Sequence, residues 1–262
     1  MSFHKNPDAI ANAIRQVYIG LPAYNEEIAL PRLLQRIELL SASLQKPITV
    51  VLYNDGSTDS TSAIARQWQE RLPLVLLDCP RNKGLGAGLG ALVRYVVEMA
   101  CDEDILVIMD CDDTHDPAQI MEMMRLIEEG ADAVIASRFV RGALVRGVPS
   151  LRRITALGAV ALFKLIHPVR GVRDYMCGYR TYRVSALKRA SNAFRTKLIE
   201  ESGFACMPEL LLKLNALGFR FGEVPLQLRY DLKPTASKMN VRDNINHLLR
   251  LLVDFRLRGL NP

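Results

Sequence analysis

Three short polar stretches carry the residues best suited to chemistry: Asp110-Cys111-Asp112 with Asp113 and Asp116 close behind, Asn54-Asp55-Gly56-Ser57, and Tyr24-Asn25-Glu26-Glu27. Carboxylates set as close as Asp110, Asp112 and Asp113 repel one another unless a cation neutralises them. A hard divalent ion with oxygen ligands, Mg²⁺ or Mn²⁺, does this and also bridges a diphosphate. The same pattern fits solvated turn carboxylates, and Asp116 before Pro117 reads as the N-cap of a helix. Asp55 is a carboxylate able to accept hydrogen bonds from a nucleobase or ribose, with Gly56 left for the turn and Asp59 for capping the next helix. Residues 22–27 similarly put Tyr24, Asn25 and Glu26 on a strand-to-helix turn, with an aromatic face and polar groups for a base.

Each stretch follows an apolar run of strand length: Val17–Leu21, Ile48–Tyr53 and Ile105–Met109. Further runs lie at Leu74–Leu77 and Ala133–Ala136, and helix-like segments alternate with them at Glu26–Leu44 and near residues 59–70, 85–101 and 117–129. Continuous apolar strands alternating with helices predict an α/β fold, a mainly parallel twisted sheet with helices on both faces. Ligands of such sheets bind at the carboxyl ends of the strands, so the three stretches are expected to share one site.

Gly86-Ala-Gly-Leu-Gly-Ala91 fits a loose dinucleotide-binding fingerprint, but it follows the third strand rather than the first. Small residues that let a helix approach the sheet, with Asn82, Lys83 and Gly84 near a nucleotide, suit it better than a dehydrogenase site.

The second half reads differently. Leu151–Ile166 is mostly apolar but, at about 16 residues, short of the ~20 that span a bilayer. Gly203–Leu217 reads as a helix, Arg220–Tyr230 as a strand broken at Pro225, and Val241–Leu257 as a last helix. In that helix Val241, Ile245, Leu248, Leu249, Leu252 and Phe255 recur at helical spacing among Arg242, Arg250, Arg256 and Arg258. Such a helix fits the surface of an anionic membrane, and it also fits docking on a protein core. The expected division is a catalytic domain over residues 1–240 and an amphipathic extension over 241–262.

The formal charge of +6 conceals a division. Residues 1–137 hold 11 Lys and Arg against 20 Asp and Glu, a net −9, whereas residues 138–262 hold 23 against 8, a net +15. A basic half implies an anionic partner such as phosphate or acidic lipid. Five cysteines without C-x-x-C spacing point away from zinc and disulfides and toward a reducing compartment. The first residues, with His4, Lys5 and Asp8, do not read as a signal peptide. These features predict a cytoplasmic location with peripheral attachment to a membrane face, directly or through an anchoring partner protein.

Taken together, PAYNEE (22–27), NDGSTDST (54–61), RNKGLGAGLGAL (81–92), MDCDDTHDP (109–117), ASRFV (136–140), RGVRDYMCGYRTYR (170–183) and ASKM (236–239) resemble the inverting family 2 glycosyltransferases of type-A fold. The closest likeness is to the dolichol-phosphate (polyprenyl-phosphate) mannosyltransferase branch. The resemblance implies that Pro22, Tyr24, Asn25, Glu26 and Asp55 hold base and ribose, with Lys83 beside the nucleotide. It implies that Asp110 and Asp112 carry the metal and donor diphosphate, and that Arg138, Arg229, Ser237 and Lys238 face phosphate. Arg152 and Arg153 stand where the branch binds the lipid phosphate, and Asp174 where it has an acidic residue near the reaction centre. The implied partners are a nucleotide-diphosphate sugar, GDP-mannose or a UDP-sugar, and a lipid phosphate, with no nucleic acid. Departures are Thr114 in place of a common Gln, Asn54 in place of the commoner Asp, and Tyr175-Met176-Cys177 in place of P-x-S before Gly178, which leaves the acceptor open. The single tryptophan is Trp68, so the Q-x-x-R-W motif of processive synthases is absent. An acceptor phosphate is already ionised, whereas a sugar or protein hydroxyl would need a base, with Asp174 or Asp112 as candidates.

Overall fold

The computed structural model describes residues 13–148, 150–232 and 241–258. In chain order its strands and helices are β1 (Val17–Ala23), α1 (Leu30–Ser43), β2 (Ile48–Asp55), α2 (Thr61–Trp68), β3 (Leu74–Cys79), α3 (Leu85–Met99), β4 (Ile105–Ile108), α4 (Ile120–Glu128), β5 (Ala133–Ser137), β6 (Leu144–Arg146), α5 (Ser150–Ile166), β7 (Arg180–Arg183), α6 (Val184–Phe194), α7 (Cys206–Ala216), β8 (Phe221–Pro225), β9 (Gln227–Arg229) and α8 (Val241–Arg258).

Seven strands form one sheet in the order β3-β2-β1-β4-β7-β5-β8. All neighbours run parallel except β7, which is antiparallel to both β4 and β5. A separate parallel pair joins β6 to β9. The all-apolar character of β1 and β4 follows from burial on both faces: Val17, Ile19 and Leu21 and every residue of Ile105–Ile108 are shielded from water. On one side α3 lies on β1, β2 and β4 and is joined by α6 and α7; elsewhere α4 covers β5, β7 and β8, and α1 pairs with α2. Each Leu or Ile so enclosed contributes about 1.5–3 kcal/mol.

The expected elements are present with shifted ends. The segment read as one helix from Glu26 starts at Leu30, because the preceding residues are held in a turn. Asp116 caps a short 3₁₀ turn, Pro117–Gln119, by accepting from the Ala118 N–H at 3.1 Å. Pro225 divides β8 from β9 as the sequence suggested. β6, β7 and α6 had no counterpart in the sequence reading. β7 reads Arg-Thr-Tyr-Arg yet is wholly buried, its polar ends satisfied by carbonyls: Arg180 donates to Cys177 O, Met207 O and Tyr175 O, and Arg183 to Ile127 O.

Helix α8 docks on the protein. Leu251 and Leu252 are buried, α8 packs on α5, and His167 of the α5 exit meets the Phe255 ring edge-on at 6.4 Å. Leu249 and Val253 of α8 and Leu157 and Leu165 of α5 remain exposed. No helix among the described residues is long and apolar enough to cross a membrane. All five cysteines are free thiols.

Candidate active site

The turns after β1 and β2 lock together. Asn25, at φ 54°, donates its N–H to Ser57 Oγ at 2.9 Å and accepts from the Thr58 N–H at 2.8 Å. Glu26 N–H donates to Thr61 Oγ1, and Glu27 and Asp59 exchange bonds with each other's segments. This arrangement spends Asn25 on shaping the turn, with Tyr24 at its partly exposed tip.

Asp55 is buried and works through the backbone. Its two oxygens accept from the Lys83 and Gly84 N–H groups, each at 2.8 Å, and so hold the loop that leads into α3. The sequence expects Asp55 at base or ribose, and in the structure both its oxygens also hold this loop. Gly56, at φ 68°, lies under the same loop, where a Cβ would stand 2.5 Å from the Arg81 carbonyl carbon. The glycine run has two duties. A Cβ on Gly86 would lie 1.7 Å from the Glu201 carbonyl oxygen, because the 200–202 segment crosses the start of α3 and Ser202 O accepts from the Gly86 N–H. Gly88 lets α3 approach Tyr53 and Pro22 of the sheet. Glu201 is bonded in turn by His247 of α8 at 3.0 Å.

Past β4 the chain turns sharply through Asp110–Asp116. Asp110, 40% exposed at its side chain, stands beside Gly178 and 4.0 Å from His115 Nε2. His115 is buried, stacked on Tyr179 at 4.9 Å, and its Nδ1 accepts from the Asp110 N–H at 3.3 Å. In the sequence His115 carries no spacing signal, being a lone histidine in an acidic run. Asp112 Oδ1 accepts from Thr114 Oγ1 at 2.6 Å and from its N–H at 3.2 Å. Thr114, standing in the place of the common Gln, therefore orients Asp112. Asp113 is turned away to Arg36 of α1, at 2.7 Å. Among the described residues no group of three His, Cys, Asp or Glu is arranged as a metal site. Two hard carboxylates, Asp110 and Asp112, still fit Mg²⁺ or Mn²⁺, which fill their shell with water and substrate phosphate oxygens.

Beyond β5 lies a buried ion pair. Asp174 is completely enclosed and accepts from Arg138 Nε at 2.7 Å, Nη2 at 2.6 Å and the Arg138 N–H at 3.1 Å, as well as from the Met176 and Cys177 N–H groups. Burial alone would raise its pKa, but the Arg138 hydrogen bonds and charge outweigh it and hold the carboxyl below its ordinary value. The pair raises the Arg138 pKa against the opposing effect of burial. A carboxylate so stabilised is a poor proton acceptor. In this structure it orients Arg138, whose side chain keeps 25% exposure.

Arg229 donates its backbone N–H to Thr114 O at 3.0 Å, joining β9 to the acidic turn, while its guanidinium pairs with Asp231 at 2.9 Å. That side chain is about half exposed. Arg152 and Arg153 lie in the first turn of α5, but their side chains fall outside the described residues, as Ser237 and Lys238 do entirely.

Residues 18–190 match the family described as Glycosyl transferase family 2. The polyprenol monophosphomannose synthase of Mycolicibacterium smegmatis is 27% identical over 251 residues, 96% of this chain and 91% of that one. The dolichol-phosphate mannosyltransferase of Pyrococcus furiosus is 28% identical over 76% of this chain, which spans about half (53%) of that relative's length. In fold, glucosyl-3-phosphoglycerate synthase from Mycobacterium tuberculosis, crystallised with Mn²⁺, UDP and glucosyl-3-phosphoglycerate, superposes with a TM-score of 0.64 at 20% identity, over 99% of this chain and 84% of that one. The architecture is thus the type-A glycosyltransferase fold expected from the sequence.

Proposed function

Because the chain belongs to glycosyl transferase family 2, we propose that it moves a hexose from GDP-mannose or a UDP-sugar to a polyprenyl or dolichyl phosphate, with inversion. The observation that carries this reading is the likeness to polyprenol monophosphomannose synthase along nearly the whole of both chains. The arrangement of the strand ends agrees with it. Pro22 at the end of β1, Tyr24, Asn25 and Glu26 on the turn after it, and the Asp55-held loop bearing Lys83 would take base and ribose. Asp110 and Asp112 would hold Mg²⁺ or Mn²⁺ against the donor diphosphate, and the ion would supply positive charge there.

The chain's own part is electrostatic. Arg138, fixed by Asp174 before any substrate arrives, would offer a preorganised cation to the charge that develops on a departing nucleoside diphosphate. Arg229, Ser237 and Lys238 would add donors to that phosphate, and Arg152 with Arg153 would take the acceptor phosphate in charge-assisted, bidentate fashion. An ionised acceptor phosphate needs no base, which suits a site whose buried carboxylate Asp174 is held deprotonated. The exposed apolar residues Leu157, Leu165, Leu249 and Val253 would lie on the cytoplasmic face of a membrane, directly or beside an anchoring partner protein. No nucleic acid enters this reading.

The test supplies radiolabelled GDP-mannose or UDP-glucose together with polyprenyl phosphate, and separately with the matching polyprenol. Label extracted into organic solvent only with the phosphate supports the reading. Equal transfer to both lipids, or transfer only to a water-soluble hydroxyl, overturns it in favour of a transferase acting on a sugar or protein hydroxyl.

A further inference from the structure

Resting on the reading of the Asp110–Asp116 turn as the seat of the donor diphosphate, we infer that Arg36 is the positioning residue that gives this turn its working shape. Arg36 lies on α1, outside every motif in the sequence. Its guanidinium nevertheless reaches three points of the turn. Nη1 donates to Asp113 Oδ1 at 2.7 Å and to the His115 carbonyl at 3.3 Å, and Nη2 donates to Asp116 Oδ1 at 2.9 Å. Arg32, one helical turn earlier, brings Nε to 4.0 Å from Asp113.

Asp113 is where this clamp matters. It is buried and stands at φ 59°, the left-handed region that is uncommon for any residue with a Cβ, although Asp tolerates it better than most. Asp113 sits between Asp112 and Thr114, so its conformation sets the direction in which both leave the strand. The Thr114 bonds to Asp112 and the His115 bond to the Asp110 N–H form only after that reversal. Arg36 also draws the third carboxylate of the cluster toward α1. Asp110 and Asp112 are the two carboxylates of the turn that Arg36 does not engage.

The same helix serves the other end of the donor. α1 begins three residues after the Asn25–Glu27 turn, which is bonded to the segment after β2. One rigid element therefore spaces the base-side turn from the diphosphate-side turn.

The experiment uses the whole chain. Binding of GDP and of UDP in the presence of Mn²⁺ is measured by calorimetry, the bound ion by its paramagnetic resonance, and amide exchange at residues 112–116 without any ligand. Arg36→Ala should speed exchange at those amides and raise the half-saturating Mn²⁺ about tenfold, the change expected when a left-handed penalty falls on the site. The melting temperature should fall by only a few degrees. Adding Asp113→Gly to Arg36→Ala should restore Mn²⁺ binding to within about threefold of the parent, since glycine takes this conformation without a holder. Unchanged exchange at residues 112–116 in Arg36→Ala, or a double variant as weak as the single, overturns the inference. Failure of the parent chain to bind either nucleotide with Mn²⁺ refutes the donor reading instead; the ligand-free exchange measurement then still decides the role of Arg36.

Discussion

Replacing Arg138 by alanine should destabilise the protein by about 3 kcal/mol at neutral pH. Losing one partner of a buried ion pair costs about 3–5 kcal/mol, because the other charge stays enclosed. Two features place the value at the lower end. The Arg138 side chain is 25% exposed, so water can enter where the guanidinium was. Asp174 also keeps three backbone donors, those of residue 138, Met176 and Cys177, each at 3.1 Å. The pH dependence carries the sign. In the parent chain the Asp174 carboxyl is depressed below its ordinary 3.8, so the pair's contribution is complete above that value and disappears only as pH falls through the folded pKa beneath it. In Arg138→Ala burial opposes a charge that has lost its partner and the carboxyl pKa rises, so the variant's deficit relative to the parent should grow from pH 5 to pH 8. Urea unfolding at both pH values measures this, and adding Asp174→Asn should recover at least about 1 kcal/mol by removing the orphaned charge. A loss below about 1 kcal/mol with no pH trend would refute the argument.

Other outcomes follow from the same geometry. Asp112→Asn should abolish sugar transfer, and excess chelator should do so reversibly until Mn²⁺ or Mg²⁺ is returned; full activity in chelator is the contrary result. Asp55→Ala should weaken nucleotide binding by about 1–3 kcal/mol, the cost of unpaired buried polar groups, by releasing the Lys83 and Gly84 N–H groups; calorimetry would show an unchanged affinity if the loop holds without it. Gly86→Ala should cost about 1–3 kcal/mol or more, since its Cβ meets the Glu201 carbonyl at 1.7 Å, whereas Gly90→Ala, with open space, should be neutral or stabilising. Thermal unfolding of the two variants side by side checks that contrast.

The parts legible in the sequence were those governed by local pattern. Apolar runs announced β1, β2, β3, β4 and β5, and the polar residues at their ends announced a shared edge. β7 was invisible because its burial depends on partners far along the chain: Arg180 is satisfied by the Met207 carbonyl and Arg183 by that of Ile127, which no local window contains. Asp55 is legible as a strand-end residue, whereas its hold on the loop into α3 is not, since the amides it binds lie 28 and 29 residues away. Asp174 shows the same limit in its chemistry. Its likeness to an acidic residue of the family is readable, whereas its pairing as a counter-ion depends on Arg138, 36 residues earlier.

The antiparallel strand β7 has a consequence for how the chain acquires its shape. β4 and β5 are not neighbours; β7 lies between them and is made some 40 residues after β5 ends, following α5. During synthesis the inner edge of β4 therefore stays open after β1–β4 are complete, a row of unpaired backbone groups on an apolar strand, which is a template for pairing with another chain. β5 meanwhile lacks β7 on one side and β8 on the other. Closure of the sheet has to wait for distant segments to arrive, a topology that slows folding and lengthens exposure to aggregation. A nascent chain paused near residue 140 should accordingly bind chaperones more strongly than one paused beyond residue 190.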